Sequence, residues 1–171
     1  MFDLSKAEQI AIKYWKLFKP LCVDGKIKVA GSIRRRKPFV KDMEIVCVPL
    51  KTLQSKDLFE AELARKPEFV SLVNSFERVK GNGNGKYAQL VLPEGIKLDL
   101  FMADENNYGL ILLLRTGPGE YNIKIVEAIK PEHYVQGGYL HSASGRIIPC
   151  MNEVDFYTIT KQKYLEPERR F

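Results

Sequence analysis

Two acids one residue apart, Asp42 and Glu44, open an apolar, β-branched run, Ile45-Val46-Cys47-Val48. Side chains alternate along a strand with period two, so both carboxylates project from one face of it. Just upstream stands Gly31-Ser32-Ile33-Arg34-Arg35, and far downstream Asp99 interrupts a second apolar strand, Leu98-Asp99-Leu100-Phe101. Three gathered acids repel one another and carry a large desolvation cost unless a cation neutralises them. The pattern therefore implies a divalent ion of the hard, oxygen-liking kind, with magnesium the first candidate. The Gly-Ser pair offers backbone donors and the arginines offer positive charge where a triphosphate could lie. Asp-x-Glu by itself commonly marks nothing more than a solvated strand edge. The combination with the arginine stretch and the distal acid is what points to a site.

The chain has 171 residues, which suits one domain or two small ones sharing a core. A hydrophobic content of 45% with 28% charged residues is that of a folded, soluble protein and excludes a disordered chain. The longest apolar run, Gly109 to Leu114, is far too short to span a bilayer, and the N-terminus lacks a signal peptide's pattern. A cytoplasmic protein, bacterial or in a virus's host cell, is expected, without membrane contact and as a monomer. Cys22, Cys47 and Cys150 are widely separated with no Cys-x-x-Cys pair, so all three read as reduced packing residues. His133 and His141 read as loop or surface histidines. The net charge of +6 is gathered in Lys13, Lys16 and Lys19, in Arg34 to Lys37 with Lys41, and in Lys161, Lys163, Arg169 and Arg170. Such clusters around a metal site suit nucleic-acid phosphates.

Ser5 to Lys19 is predicted as an amphipathic helix with a Ser5–Glu8 capping box and a buried stripe of Ala7, Ile10, Ala11, Tyr14, Trp15 and Phe18. A strand over 27–30 enters the Gly-Ser turn and a strand over 43–48 carries the acids. Helical periodicity resumes between Asp57 and Glu77, split at Lys66-Pro67. Gly81-Asn82-Gly83-Asn84-Gly85 lacks the Lys-Ser/Thr of a phosphate loop and is expected to be a hairpin turn. Strands over 86–92 and 96–102 form a further hairpin, with Lys97, Asp99 and Phe101 on one face. Residues 103–107 read as a linker. Thr116-Gly117-Pro118-Gly119 precedes a helix over 120–129, placing free N–H groups where phosphate or sugar could sit. Strands and turns over 138–149 lead to a last helix capped by Asn152 with Asp155. The fold class is α/β (α+β).

From the first helix to the end, these motifs resemble the family X DNA polymerases of the polymerase beta nucleotidyltransferase superfamily. The residues that carry the resemblance are GSIRRR, DMEIV, LDLF, RTGPGEYN and the closing KYLEPERR. It implies a nucleotidyltransferase palm with a mixed sheet over 1–104 and a small nucleotide-closing thumb subdomain over 105–171. The lyase and helix-hairpin-helix regions of larger members are expected to be absent, as in the minimal form of the family. By the same resemblance Asp42, Glu44 and Asp99 hold two Mg2+ ions, with Mn2+ as a substitute, and serve as the catalytic acids. Gly31, Ser32 and Arg35 match residues that bind the triphosphate, and Arg115, Thr116, Gly117 and Asn122 match the segment beside the sugar and base. Arg34, Arg36, Lys161, Lys163, Arg169 and Arg170 are the candidate DNA contacts. The sequence departs from the family pattern at Glu44, where the family has Asp, at Arg115, where it has an aromatic residue, and at Pro118, where it has Ser.

The activity so implied is template-directed DNA synthesis of the repair type. Deoxynucleotides from deoxynucleoside triphosphates join a primer 3′-hydroxyl on a primer-template or gapped duplex. A template-independent nucleotidyltransferase and a catalytically impaired nucleic-acid-binding module are the alternatives, the latter if Glu44 marks decay of the site.

Overall fold

Residues 1–55 and 61–171 are described here from a computed structural model. In chain order they form β1 (Phe2–Asp3), α1 (Leu4–Phe18), β2 (Cys22–Val29), α2 (Gly31–Arg34), β3 (Phe39–Val40), β4 (Asp42–Pro49) and β5 (Lys51–Ser55). There follow β6 (Ala61–Arg65), α3 (Pro67–Asn74), β7 (Glu77–Gly81), β8 (Tyr87–Val91) and β9 (Lys97–Met102). The remainder is α4 (Tyr108–Thr116), α5 (Gly119–Glu127), β10 (His133–Gln136), β11 (Tyr139–Ser142), β12 (Ile147–Ile148) and α6 (Glu153–Thr160).

The main sheet has the order β2-β4-β9-β8-β7, with β4 and β9 parallel and the other neighbours antiparallel. Alternation along β9 buries Leu98, Leu100 and Met102 and leaves Lys97, Asp99 and Phe101 on the opposite face. The apolar face meets Ala7, Ile10, Ala11, Tyr14 and Phe18 of α1 and Phe69 and Val73 of α3 in one core. Each large side chain so buried contributes about 1.5–3 kcal/mol, which holds the sheet rigid beneath the acids. At Val46 and Val48 the other face of β4 is covered as well, by Tyr108 and Leu112 of α4. The acid-bearing face is thus open where Asp42 and Glu44 lie and sealed further along. A second core gathers Leu110, Leu113, Ile125, Leu140 and Phe156 from the C-terminal elements. Among the described residues no helix is long and apolar enough to cross a membrane.

Several local expectations hold. The stripe on α1 is core, although Trp15 is only partly buried and donates its Nε1 to the Ile27 carbonyl at 3.1 Å. The hairpins on both sides of β8 form, and Asn152 and Asp155 make a reciprocal capping box on α6. All three cysteines are free and buried.

Others are corrected. Helix α1 is capped by Asp3, whose side chain accepts the Lys6 amide at 2.9 Å, rather than by a Ser5–Glu8 box. Pairing of β1 with β3 already holds Asp3 extended, the conformation a cap needs. Of the helix expected from Asp57, residues 57–60 lie outside the described residues, and Ala61–Arg65 is strand, not helix. It is paired with β5 from Ser55↔Ala61 to Lys51↔Arg65. Non-local ladder hydrogen bonds there outweigh the helix propensity of Ala-Glu-Leu-Ala-Arg. The apolar run after the 103–107 linker is itself a helix, α4. His133 and His141 sit on strands rather than loops, His141 stacked on Tyr134 at 4.9 Å and 7°.

Candidate active site

Parallel pairing of β4 with β9 places Glu44 directly beside Asp99, and Asp42 two residues before Glu44 on the same face. Strand β2 runs antiparallel to β4, and the Ala30 amide donates to the Glu44 carbonyl at 2.8 Å, which brings the Gly31 turn over the acids. Gly31 has φ +62°, and a Cβ there would lie 1.7 Å from Glu44 Oε2. Glycine is required twice over, for its left-handed backbone and for the carboxylate packed against it.

Burial pushes the Glu44 carboxyl up to about 7, with the charges of Asp42 and Asp99 adding to the effect and Arg115 and Arg35 opposing it. This is the signature of an acid cluster short of positive charge. Asp99 is oriented by its neighbours on β8: the Tyr87 hydroxyl and the Gln89 amide, the latter at 2.9 Å, both donate to its Oδ1. Its Oδ2 has no protein hydrogen bond among the described residues. The Arg115 guanidinium lies 4.1 Å above the Phe101 ring, at the edge of a cleft of about 610 Å3 lined also by Glu44, Tyr87, Asp99 and Lys86.

On the other side of Gly31, Ser32 Oγ and Arg35 Nε are buried without a hydrogen-bond partner among the described residues. Burial lowers the pKa of Arg35, with Glu44 opposing, and its Nη1 donates to the Thr116 carbonyl. Among the described residues no three acid, histidine or cysteine side chains are already drawn together as a metal cage. Glu44 is folded onto Gly31 and Asp99 is turned toward β8. The donor set is nevertheless all oxygen, deficient in cations and open on one side, so the chemistry of the three acids fits a hard divalent ion.

No family model and no curated protein sequence matches the chain. Solved structures do. Polymerase beta of Leishmania infantum in a ternary P/T complex matches with a TM-score of 0.70 and 15% identity, covering 99% of this chain and 76% of that one. The ternary gap complex of the same polymerase matches with a TM-score of 0.68 and 15% identity, covering 99% and 70%. The chain has the polymerase beta fold.

Within this polymerase beta fold the sequence-predicted residues take unequal places. Glu44, Asp99 and Arg115 line one cleft, Asp42 lies on the same strand face as Glu44, and the Gly31 turn with Ser32 and Arg35 packs beside Glu44. Thr116 does not face it: the residue is fully buried, and its hydroxyl accepts from Arg34 Nη1 at 2.7 Å. Asn122 secures the α4–α5 turn, donating to Leu114 O at 2.7 Å and Gly117 O at 3.3 Å, with its Oδ1 buried and unpaired among the described residues. Asn122 Oδ1 also lies 2.4 Å from where a Gly117 Cβ would stand, so that turn needs a glycine for space.

The DNA-contact set needs correction. Arg170 is 0% exposed, donating to Glu153 Oε1 at 2.6 Å and to Leu165 O, so it is a structural residue and not surface charge. Arg34 is likewise committed, bidentate on Glu153. A buried guanidinium must be paired, and Glu153 is the residue that pairs both. Arg36, Lys161, Lys163 and Arg169 are exposed.

Tyr87, Gln89, Lys86 and Phe101 were not among the sequence-predicted site residues. Their signal was available: counting back from the Leu92–Ile96 end of the hairpin brings Gln89 opposite Asp99 and Tyr87 opposite Phe101.

Proposed function

We propose that this protein is a metal-dependent nucleotidyltransferase that extends a DNA primer from deoxynucleoside triphosphates, at short gaps of the kind met in repair. The observation that carries the reading is the register of β4 on β9. It sets Glu44 beside Asp99, with Asp42 on the same face, next to a Gly31 turn that leaves Ser32 Oγ and Arg35 Nε unpaired among the described residues. The polymerase beta of Leishmania infantum, whose fold this chain shares, was solved in ternary P/T and gap complexes, which favours DNA over other acceptors.

Asp42, Glu44 and Asp99 are the residues to hold Mg2+, which when bound neutralises phosphate charge and lowers the pKa of the attacking hydroxyl. The chain's own groups do the rest. Ser32 and Arg35 bind the triphosphate, and the missing side chain at Gly31 leaves room for the Glu44 carboxylate beside them. Asp99, steadied through Oδ1 by Tyr87 and Gln89, offers Oδ2 to the proton of the primer 3′-hydroxyl. The 3′-oxygen bonds to the α-phosphorus as the bond to pyrophosphate breaks. Residues 1–104 form the palm and 105–171 the part that closes on the nucleotide.

The test is extension of a primer on gapped DNA with Mg2+ or Mn2+. Incorporation directed by the template base is expected. Failure to incorporate any nucleotide with either metal would overturn the reading, and incorporation indifferent to the template would replace it with template-independent transfer.

A further inference from the structure

The acids occupy one face of the main sheet only. On β4, Met43, Ile45 and Cys47 alternate with them and enter the core on the other side, where α1 is packed. The lysines of α1, which the sequence groups with the metal site, therefore stand on the reverse of the sheet. Lys13 is committed there, bonded to Glu94 at 2.6 Å. Lys16 and Lys19 are exposed and form no ion pair among the described residues. Helical period puts them on one stripe with Glu8, Ile12 and Trp15. The Trp15 Nε1 donates to the Ile27 carbonyl on β2, the outermost strand of the sheet, and the Lys19 ammonium lies 4.8 Å from the Trp15 ring centre. The ring fixes that ammonium in place and leaves its charge unneutralised. Beside this stripe, between α1 and β2, is a pocket of about 410 Å3. Its floor is Ala11, Val29 and Ile33, and its lip is Ile12, 51% exposed. The polar rim is nearly neutral, because Arg36 meets Glu8 at 3.8 Å, Arg34 is held by Glu153, and Glu168 is the one further acid.

We propose that the outer stripe of α1 and the pocket beside it form a docking surface for an acidic amphipathic helix of a partner protein. One large apolar side chain enters the pocket, and carboxylates meet Lys16 and Lys19. The inference does not depend on the activity proposed above. An apolar pocket flanked by unpaired cations is complementary to a segment that carries both an apolar anchor and negative charge. Duplex DNA matches the lysines but brings no apolar group to Ala11, Val29 and Ile33. A second copy of the chain is the wrong charge, since a symmetric contact here would set lysine against lysine. The spacing is specific as well. Lys16 and Lys19 lie four and seven residues beyond Ile12, about 6 and 10 Å along the helix axis. A partner helix lying along α1 thus carries its acids four and seven residues from its anchor.

The experiment pans a random library of displayed peptides, each about four helical turns long, against the full chain. Enriched sequences should carry Leu, Ile, Phe or Met with Asp or Glu four and seven residues away. The leading sequence, made as a fluorescent peptide, is then the probe for anisotropy titrations. Ile12, Lys16 and Lys19 are exposed, so changes there do not threaten the core. Ile12→Glu and Lys16→Glu/Lys19→Glu should each weaken binding by about tenfold or more. Lys161→Glu/Lys163→Glu, with the same net charge as the second variant and this face intact, should bind as the parent does. A peptide with lysines in place of its acids should regain affinity for Lys16→Glu/Lys19→Glu, a rescue that a merely misfolded variant would not give. Enrichment without acids at that spacing, or equal binding by parent and variants, would overturn the surface. So would losses just as large in Lys161→Glu/Lys163→Glu. Blunt duplex DNA or phosphatidylserine vesicles that bind the parent and lose as much affinity in Lys16→Glu/Lys19→Glu would give the face to a polyanion instead of a protein. Dimerisation in sedimentation equilibrium, abolished by Ile12→Glu, would give it to a second copy.

Discussion

The Arg34 guanidinium grips the Glu153 carboxylate with both ends, Nη1 at 3.0 Å from Oε1 and Nη2 at 2.7 Å from Oε2. This ties the helical turn that follows Gly31 to the start of α6, 119 residues away. Arg170 closes the same carboxylate from the chain's end at 2.6 Å. Burial pushes the Glu153 pKa up, but the bonds from Arg34 and Arg170 outweigh it and hold the group below its ordinary value. The last helix and the tail therefore buttress the turn that carries Ser32 and Arg35.

Glu153→Ala should destabilise the protein by about 3–5 kcal/mol, because it strands two guanidinium groups in the interior. Urea unfolding gives the number. A double cycle with Arg34→Met should show strong non-additivity, since the second change removes one of the stranded charges. Additive losses would mean that the two side chains do not act as a pair.

Glu44 predicts a pH dependence of the opposite sign to a salt-bridged acid. Its folded-state pKa, about 7, lies above the ordinary 4.5, so the folded state holds the proton longer. Stability falls as pH rises from about 4.5 to about 7, by about 3 kcal/mol in total. Glu44→Gln removes this term. The variant's stability advantage over the parent, measured by urea unfolding without divalent ions, should be small at pH 4.5 and near its full value at pH 8. An advantage that does not grow with pH refutes the buried, charge-deficient cluster.

Gly31→Ala introduces a side chain where Glu44 Oε2 lies and where φ is +62°. The carboxylate is the flexible end of its side chain and can move aside, so the stability cost should be modest, about 1–2 kcal/mol from the backbone alone. The displaced Glu44 should cost far more function than stability. Mn2+ binding followed by electron paramagnetic resonance should weaken, and a variant that binds Mn2+ as the parent does would count against Glu44 as a ligand.

Asp99→Asn keeps the acceptor for Tyr87 and Gln89 but loses the charge and the proton acceptor. Single-turnover nucleotide addition should fall by on the order of a thousandfold, with the unfolding midpoint within a few degrees of the parent. Retention of more than a tenth of the rate would remove Asp99 from the chemistry.

Features set by contacts within a few residues are legible along the chain. Asp42 and Glu44 share a face because strands alternate, Asp99 breaks an apolar strand, and Asn152 with Asp155 caps α6, each a matter of local period or capping reach. Tertiary structure alone decided the fate of the charges and of the ambiguous segments. Arg170 and Arg169 are neighbours of one kind in sequence, yet one is sealed in the interior and the other lies in solvent. The difference is made by Glu153, which the fold brings to Arg170 and to the distant Arg34. Ala61–Arg65 became strand because β5 was there to pair with it, and Thr116 turned inward because the fold brings Arg34 to its hydroxyl. A buried charge or an unpaired backbone group is tolerated only with a partner. Partners remote in sequence become neighbours only once the chain has folded.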